Sequence, residues 1–358
     1  MSALKNDNFL RALARQPVTR QPIWLMRQAG RYLPEYRALR KQAGNFLTLC
    51  KTPELACAVT LQPIERFDLD AAILFSDILT IPDAMGMGLQ FVENEGPCFS
   101  MSLHTERDIK NLPIPDPTIE LRYVCDAVTL IQRTLAQRVP FIGFAGSPWT
   151  VACYMLEGGR SAKQFERVRT MVYQQPKILH LLLEKLTETT LAYLKAQIES
   201  GVDVVMLFDT WGGLLSAESY ELFSLHYMQR IISGLPQNIP TILFTKNGGL
   251  WLDKIARSGC SAVGIDWTMD LSQAVKMTEN RVALQGNLDP LALFAPEPCL
   301  HREIHAILQK MHTHPGFIFN LGHGILPTTS PERVKFLVDT VHSATHLCYS
   351  ESVPIAIV

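Results

Sequence analysis

Hydrophobic positions along this chain fall into short continuous runs rather than an alternating pattern. Eight such runs recur, at 22–26, 71–75, 141–144, 202–208, 241–244, 262–265, 282–284 and 317–319. Each is rich in β-branched, aromatic or other apolar residues and ends in a small or polar cluster. Runs of this length without alternation fit strands covered on both faces, as in a parallel sheet. The stretches between them carry helical period and helical start signals. Residues 161–163 lead into a long helical stretch through 199, residues 216–218 open another, and 330–332 precede the last. The gap after the third run has room for more than one helix. Segment 91–117 breaks the pattern, and Gly96, Pro97, Pro113, Pro115 and Pro117 predict irregular chain there.

Strand–helix alternation of this kind, sustained over roughly 330 residues, predicts an α/β fold of the single (β/α)8 TIM-barrel type. Residues 1–358 then form one domain, with an unplaced C-terminal tail at about 345–358. An open doubly wound sheet is the alternative. No G-x-G-x-x-G follows the first run, which counts against the dinucleotide-binding version of that fold.

Composition narrows the classes without changing this picture. The 358 residues are 47% hydrophobic and 19% charged, which is globular and excludes disordered, collagenous and coiled-coil chains. Lysine plus arginine total 33 against 34 acids. No net basic field exists for nucleic acid or an anionic membrane, so a polyanion has to be met by local positive charge. No apolar stretch reaches the roughly 20 residues of a membrane span. The first residues, MSALKNDNFLRALARQ, include acid and lack the apolar core of a signal peptide. The eight cysteines (Cys50, Cys57, Cys98, Cys125, Cys153, Cys260, Cys299 and Cys348) form no C-x-x-C pair, which favours free thiols in a reducing compartment.

In a barrel, chemistry collects at the C-terminal strand ends, and those ends carry the polar residues here. The first run leads into WLMRQAGRYLPEYR with Arg27 and Arg31, and the second into FSDIL with Asp77. The third leads into GSPWTVACYMLEGG with Tyr154, and the fourth into FDTWGG with Asp209 and Thr210. The remaining ends offer Lys246 and Asn247, Asp266, Asn287 and Asp289, and finally His323 in NLGHG. Each has a plainer reading. The arginines at i,i+4 spacing read as a solvated pair; Asp77, Asp209 and Thr210 read as helix caps; Tyr154 reads as a core aromatic; His323 reads as a turn residue. Against this, residues 24–42 hold Arg27, Arg31, Arg37, Arg40 and Lys41 with only Glu35 in opposition. Arginine's planar fork suits repeated carboxylate or phosphate recognition. Met26, Met85 and Met87 read as apolar filling, and His301 with His305 as two residues of an ordinary amphipathic helix. H-E-x-x-H, Walker and G-x-S-x-G motifs are absent, and the His346–Cys348 pair has no following cysteine. The expectation is therefore no metal and no nucleotide.

Taken in order, WLMRQAGRYLPEYR, FSDIL, GSPWT…YMLEGG, FDTWGG, LQGNLDP and NLGHGI resemble the signature blocks of the uroporphyrinogen decarboxylase family, spanning about residues 20 to 340. The resemblance implies a single (β/α)8 catalytic barrel, usually a homodimer, working without metal or organic cofactor. It implies conversion of the four acetate side chains of uroporphyrinogen III to methyls, giving coproporphyrinogen III and four CO2 in haem biosynthesis. Arg27 and Arg31 match the arginines that meet substrate carboxylates. Asp77 matches the aspartate that gathers the pyrrole N–H groups, Tyr154 the tyrosine of the YM-x-EGG block, and His323 the histidine of NLGHG. Thr210 stands where many members carry serine. Asp77, Arg27, Arg31 and Tyr154 are thereby assigned to catalysis, with Thr210 and His323 joining them in substrate binding.

The implied chemistry suits these residue types. Loss of CO2 from an acetate needs an electron sink, and a pyrrole protonated on a ring carbon is one. An ionised carboxylate beneath the ring nitrogens, which only accepts hydrogen bonds, stabilises that cation. The alternatives are a corrinoid-type methyltransferase on the same barrel, a Schiff-base aldolase using Lys246, and a tetrapyrrole-binding protein without turnover. A chain that starts this near its first motif suggests a bacterial, cytoplasmic protein with no nucleic-acid or membrane partner.

Overall fold

The computed structural model describes residues 4–92, 96–158 and 165–344. Strand β1 (Ala72–Ile73) comes first, followed by an antiparallel hairpin of β2 (Leu89–Val92) and β3 (Gly96–Phe99). Then come β4 (Phe141–Gly146), β5 (Val204–Asp209), β6 (Thr241–Thr245), β7 (Ala262–Gly264), β8 (Ala283–Leu288) and β9 (Phe317–Leu321). Apart from the hairpin, these strands form one seven-stranded sheet in the order β1-β4-β5-β6-β7-β8-β9, with every neighbouring pair parallel. Helices fill the crossovers. Strands β4, β6, β8 and β9 are buried at every position, as continuous apolar runs require when helices cover the outer face.

Seven of the eight predicted strands are regular. The run at 22–26 is not: it is reduced to a single parallel bridge between Ile23 and Phe319 of β9. It nevertheless occupies the eighth position of the barrel. The Phe319 N–H donates to the Pro22 carbonyl at 2.8 Å on one edge, and the Asp70 N–H donates to the Ile23 carbonyl at 2.8 Å on the other. Asp70, fully buried, replaces the rest of the missing ladder with its side chain. Its Oδ2 accepts from the Ile23 N–H at 2.8 Å and meets His342 Nε2 at 2.9 Å. Its Oδ1 accepts from Asn6 at 2.7 Å and from Arg20 Nε at 2.9 Å. A second repair follows from the shortness of β1. Phe144 lies beyond the two β4 residues that pair with β1, and the Gln197 amide binds both its N–H (2.9 Å) and its carbonyl (3.0 Å).

Helix ends obey local chemistry. Ser216 and Ser330 cap the helices that the sequence predicts them to open, the latter with Pro331 in the first turn. The expected helix start at 161–163 lies outside the described residues, as does the tail at 345–358. The stretch beyond it is two helices, Glu166–Gln174 and Pro176–Ser200, broken at Gln175 because proline ends the first and begins the second. Segment 91–117 is more regular than expected. It contains β3 and a helix, Glu106–Asn111, opened by a full capping box between Thr105 and Asp108. One hydrophobic cluster runs from Phe9 to Ala344 and includes Met26, Met85 and Met87. Cys50, Cys57, Cys98, Cys125, Cys153, Cys260 and Cys299 are all free thiols; Cys348 is outside the described residues.

Candidate active site

Arg27 follows the clamped 22–26 segment and emerges exposed at the barrel mouth. Its backbone sits at φ +60°, a left-handed conformation that costs a non-glycine residue of order 1 kcal/mol. Its aliphatic stem lies on Gly324: a Cβ there would stand 2.7 Å from Arg27 Cγ and 2.9 Å from Nε. The close approach of that stem to Gly324 brings the Arg27 side chain alongside the neighbouring His323. The His323 ring is partly buried, 6.0 Å from the Phe244 ring. Burial, then the charges of Arg27 and Lys246, push its pKa down to about 4 against the opposing pull of Asp266. His323 is thus a neutral imidazole at neutral pH, one nitrogen donating and the other accepting.

Asp77 follows β1 by four residues. One carboxylate oxygen, Oδ1, accepts from the Leu79 N–H at 2.8 Å, while the Asp77 carbonyl accepts from the Thr80 hydroxyl at 2.9 Å. The side chain therefore does turn-forming work, as the cap reading expects, but with only one of its oxygens. Burial raises the carboxyl above its ordinary value, and the Leu79 N–H and the Arg27 charge oppose that rise. A carboxylate desolvated in this way interacts strongly with any positive charge brought next to it.

Tyr154 projects from the helix Pro148–Leu156, whose apolar sequence buries almost its whole surface. Its ring meets Phe165 at 5.8 Å and Trp211 at 6.2 Å, both edge-on. Burial raises the phenol's pKa; Trp211 and the Arg27 charge lower it, and Asp77 raises it further. Tyr154 is consequently a protonated donor near both of those groups. Arg27 is the common element, close enough to shift the ionisation of Asp77, Tyr154 and His323 alike.

Beneath these groups lies Asp209, which is not a cap. Fully buried, it accepts from Ser147 (2.6 Å) and Thr150 (2.9 Å) on Oδ1, and from Ser224 (2.8 Å) and Thr245 (3.3 Å) on Oδ2. Burial raises its pKa and the four hydroxyls lower it. Thr150 Oγ1 in turn accepts from the Trp211 N–H at 3.1 Å, and Trp149 donates to the Trp211 carbonyl at 3.0 Å. The network thereby fixes Trp211 against Tyr154. FDTWGG points to Asp209 and Thr210 by residue type; its tryptophan, which shapes the site, carries no signal beyond being in the block. Thr210 is half-buried next to Trp211.

The basic residues of 24–42 divide. Arg37 is structural, donating to the carbonyls of Arg31 (2.8 Å) and Tyr32 (3.0 Å). Arg40 lines a cavity of about 410 Å³ with Phe46, Lys51 and Phe91. Arg31 is exposed, four residues along the chain from Arg27, and its charge opposes the rise of the Tyr36 pKa. The His301 and His305 rings lie 4.1 Å apart, tilted by 35°, on their helix. Among the described residues no group of three or more histidine, cysteine or acidic side chains has a metal-binding arrangement, and no helix is long and apolar enough to cross a membrane.

A parallel β/α barrel with a carboxylate, a phenol, a neutral imidazole and an arginine converging on its C-terminal mouth defines a barrel enzyme acting on an anionic substrate. The family model described as uroporphyrinogen decarboxylase matches residues 4–344. Among curated relatives, the uroporphyrinogen decarboxylase of Tolumonas auensis is 58% identical over 347 residues, covering 96% of this chain and 98% of that protein. The uroporphyrinogen decarboxylase of Aromatoleum aromaticum is 57% identical, covering 96% and 97%. The chain belongs to the uroporphyrinogen decarboxylase family and is a carboxy-lyase. A solved methyltransferase from Methanosarcina mazei shares the fold, with a TM-score of 0.80 at 22% identity over 96% of this chain and 99% of that one. That likeness concerns the fold alone.

Proposed function

We infer that this chain decarboxylates the four acetate side chains of uroporphyrinogen III, releasing four CO2 and coproporphyrinogen III in haem biosynthesis. Family membership across residues 4–344 supports the reaction. The observation that supports the assignment of roles is that the charge of Arg27 acts on Asp77, Tyr154 and His323 alike. Asp77 takes the pyrrole N–H groups at the centre of the macrocycle. As a ring carbon is protonated, the positive charge develops against a partly buried carboxylate, where a fixed charge stabilises more than it does in bulk solvent. The acetate then loses CO2 into that cationic ring, the methylene left behind takes up a proton to become the methyl, and the ring carbon gives up the proton it had gained, so the substrate is its own electron sink and no organic cofactor or metal is required. Arg27, and Arg31 further out, hold side-chain carboxylates and keep the reacting acetate ionised. Tyr154 and His323 donate hydrogen bonds without carrying charge, and Thr210 adds a hydroxyl. The working unit is one barrel domain in a cytoplasmic homodimer.

The test is anaerobic incubation of the purified protein with uroporphyrinogen III, followed by separation of products by carboxylate number. Stepwise loss of four carboxylates is the expected result. Unchanged substrate under conditions in which the protein is folded overturns the assignment.

A further inference from the structure

Lys246 stands immediately after β6, its backbone N–H donating to the Asp209 carbonyl at 3.2 Å. Phe244, two residues earlier, turns its ring toward His323 at 6.0 Å. Lys246 is the first residue of the turn that follows β6, and its charge acts on His323. Its Nζ lies 5.9 Å from the Trp267 ring centroid, a position in which an aromatic face holds a cation without neutralising it. The neighbouring acid, Asp266, is already engaged. Its Oδ1 accepts from the Thr268 N–H (2.9 Å) and hydroxyl (2.5 Å), and its Oδ2 accepts from the Asn247 N–H. Lys246 forms no salt bridge among the described residues. Two cations therefore bracket one imidazole: Arg27, laid along Gly324 from the 22–26 side, and Lys246, from the β6 side. Like charges gathered in this way repel one another in the free protein, and an anion between them removes that repulsion.

We propose, resting on the tetrapyrrole reading above, that Lys246 is a substrate-binding residue that completes with Arg27 and His323 a seat for one peripheral carboxylate of the macrocycle. Arg27 supplies a planar fork, Lys246 a compact ammonium, and His323 a neutral N–H donor. The sheet order places β6 three strands from β1, so Lys246 reaches the mouth from the side across from Asp77. It takes a carboxylate on the rim while Asp77 takes the central N–H groups. The seat acts on binding rather than on the reacting carbon.

The experiment is steady-state kinetics with uroporphyrinogen III for wild type, Lys246→Gln, Lys246→Met and Lys246→Arg, with Lys254→Gln as a control. Lys254 pairs with Glu221 on the surface, and its replacement removes the same unit of charge. Lys246→Gln and Lys246→Met should raise KM about tenfold, the scale of one charge-assisted hydrogen bond, with kcat changing by less than about twofold. Lys246→Arg should recover most of the loss, and Lys254→Gln should match wild type. A wild-type KM in the Gln or Met variant, an equal rise in Lys254→Gln, or failure of both neutral variants to fold overturns the seat. Wild-type protein that leaves uroporphyrinogen unchanged overturns the tetrapyrrole reading itself, and the seat falls with it.

Discussion

Replacing Asp77 by asparagine separates its two jobs. The amide oxygen of the new side chain can still accept from the Leu79 N–H that Asp77 Oδ1 meets at 2.8 Å, and the Thr80 hydroxyl still reaches the residue-77 carbonyl. Asparagine and aspartate serve this kind of local turn almost equally well. The fold loses little, and the sign of the ionisation effect points the other way. Burial raises the folded-state pKa of Asp77, so the folded protein holds this proton more tightly than the unfolded chain. Stability associated with the group is present at low pH and is lost as pH rises through the folded pKa. At neutral pH asparagine removes that cost, and the melting temperature of Asp77→Asn should equal or exceed that of wild type. Catalysis should move oppositely. A carboxylate about 4 Å from a pyrrole cation interacts by about 4 kcal/mol at an effective dielectric constant of about 20. Loss of comparable preorganised groups costs about 10²–10³ in rate, and asparagine also turns an N–H donor toward the pyrrole N–H groups. Asp77→Glu, with its charge displaced by one methylene, should retain part of the activity. Melting temperature and single-turnover CO2 release, measured on all three proteins, decide the matter. An Asp77→Asn protein that folds normally and turns over at the wild-type rate refutes the electrostatic role.

Arg27→Lys keeps the charge but not the fork, and kcat/KM should fall by about one to two decades; wild-type kinetics would make Arg27 a surface cation. Gly324→Ala should lower kcat/KM by less than Arg27→Lys does, because its Cβ displaces only the flexible end of the Arg27 side chain; a loss as large as that of Arg27→Lys would show that the arginine has no other route to the mouth. His323 has its pKa depressed to about 4, so stability tied to it is present above its unfolded value and is lost as pH falls toward 4. The slope is at most about 1.4 kcal/mol per pH unit. Denaturant midpoints between pH 7 and 4.5 should therefore fall less steeply in His323→Asn than in wild type, and parallel curves would remove the effect. Exhaustive chelation should leave decarboxylation intact; activity lost to EDTA and restored by zinc would show a metal requirement.

The buried strands are readable because nothing in their environment competes with their sequence: β4, β5, β6 and β9 are apolar on both faces and carry the residues that pair with their neighbours. The 22–26 run has the same composition, yet it forms only one bridge, because its partner on one edge is a side chain, Asp70, rather than a strand. No local pattern reports a partner 47 residues away. The hairpin of β2 and β3 is hidden for the opposite reason. Its residues Gly96 and Pro97 are turn formers, and tertiary packing of Phe91 on Phe46 at 4.6 Å outweighs their preference. In the site, Arg27, Asp77, Tyr154 and His323 are legible as strand-end residues. What is not legible is that Arg27 acts on all three, since its side chain leaves a left-handed backbone position and runs along Gly324. Asp209 reads as a cap because a cap and a buried hub both need an acid next to hydroxyls.

The Asp70 carboxylate draws its donors from residues 6, 20, 23 and 342. A ribosome delivers three of these within the first 23 residues and the fourth only at residue 342. During synthesis the first-made segment therefore waits beside β1 with an incomplete set of bonds, while strands β4 to β9 are added one crossover at a time, each on its predecessor. The ring shuts when β9 arrives to bridge Ile23 through Phe319 and the last helix brings His342 to Asp70. Arg27 stands one residue beyond the segment that these bonds clamp. Removal of the helix Pro331–Ser343 should therefore lower activity through the opposite end of the polypeptide, by taking His342 from the carboxylate that holds the segment before Arg27.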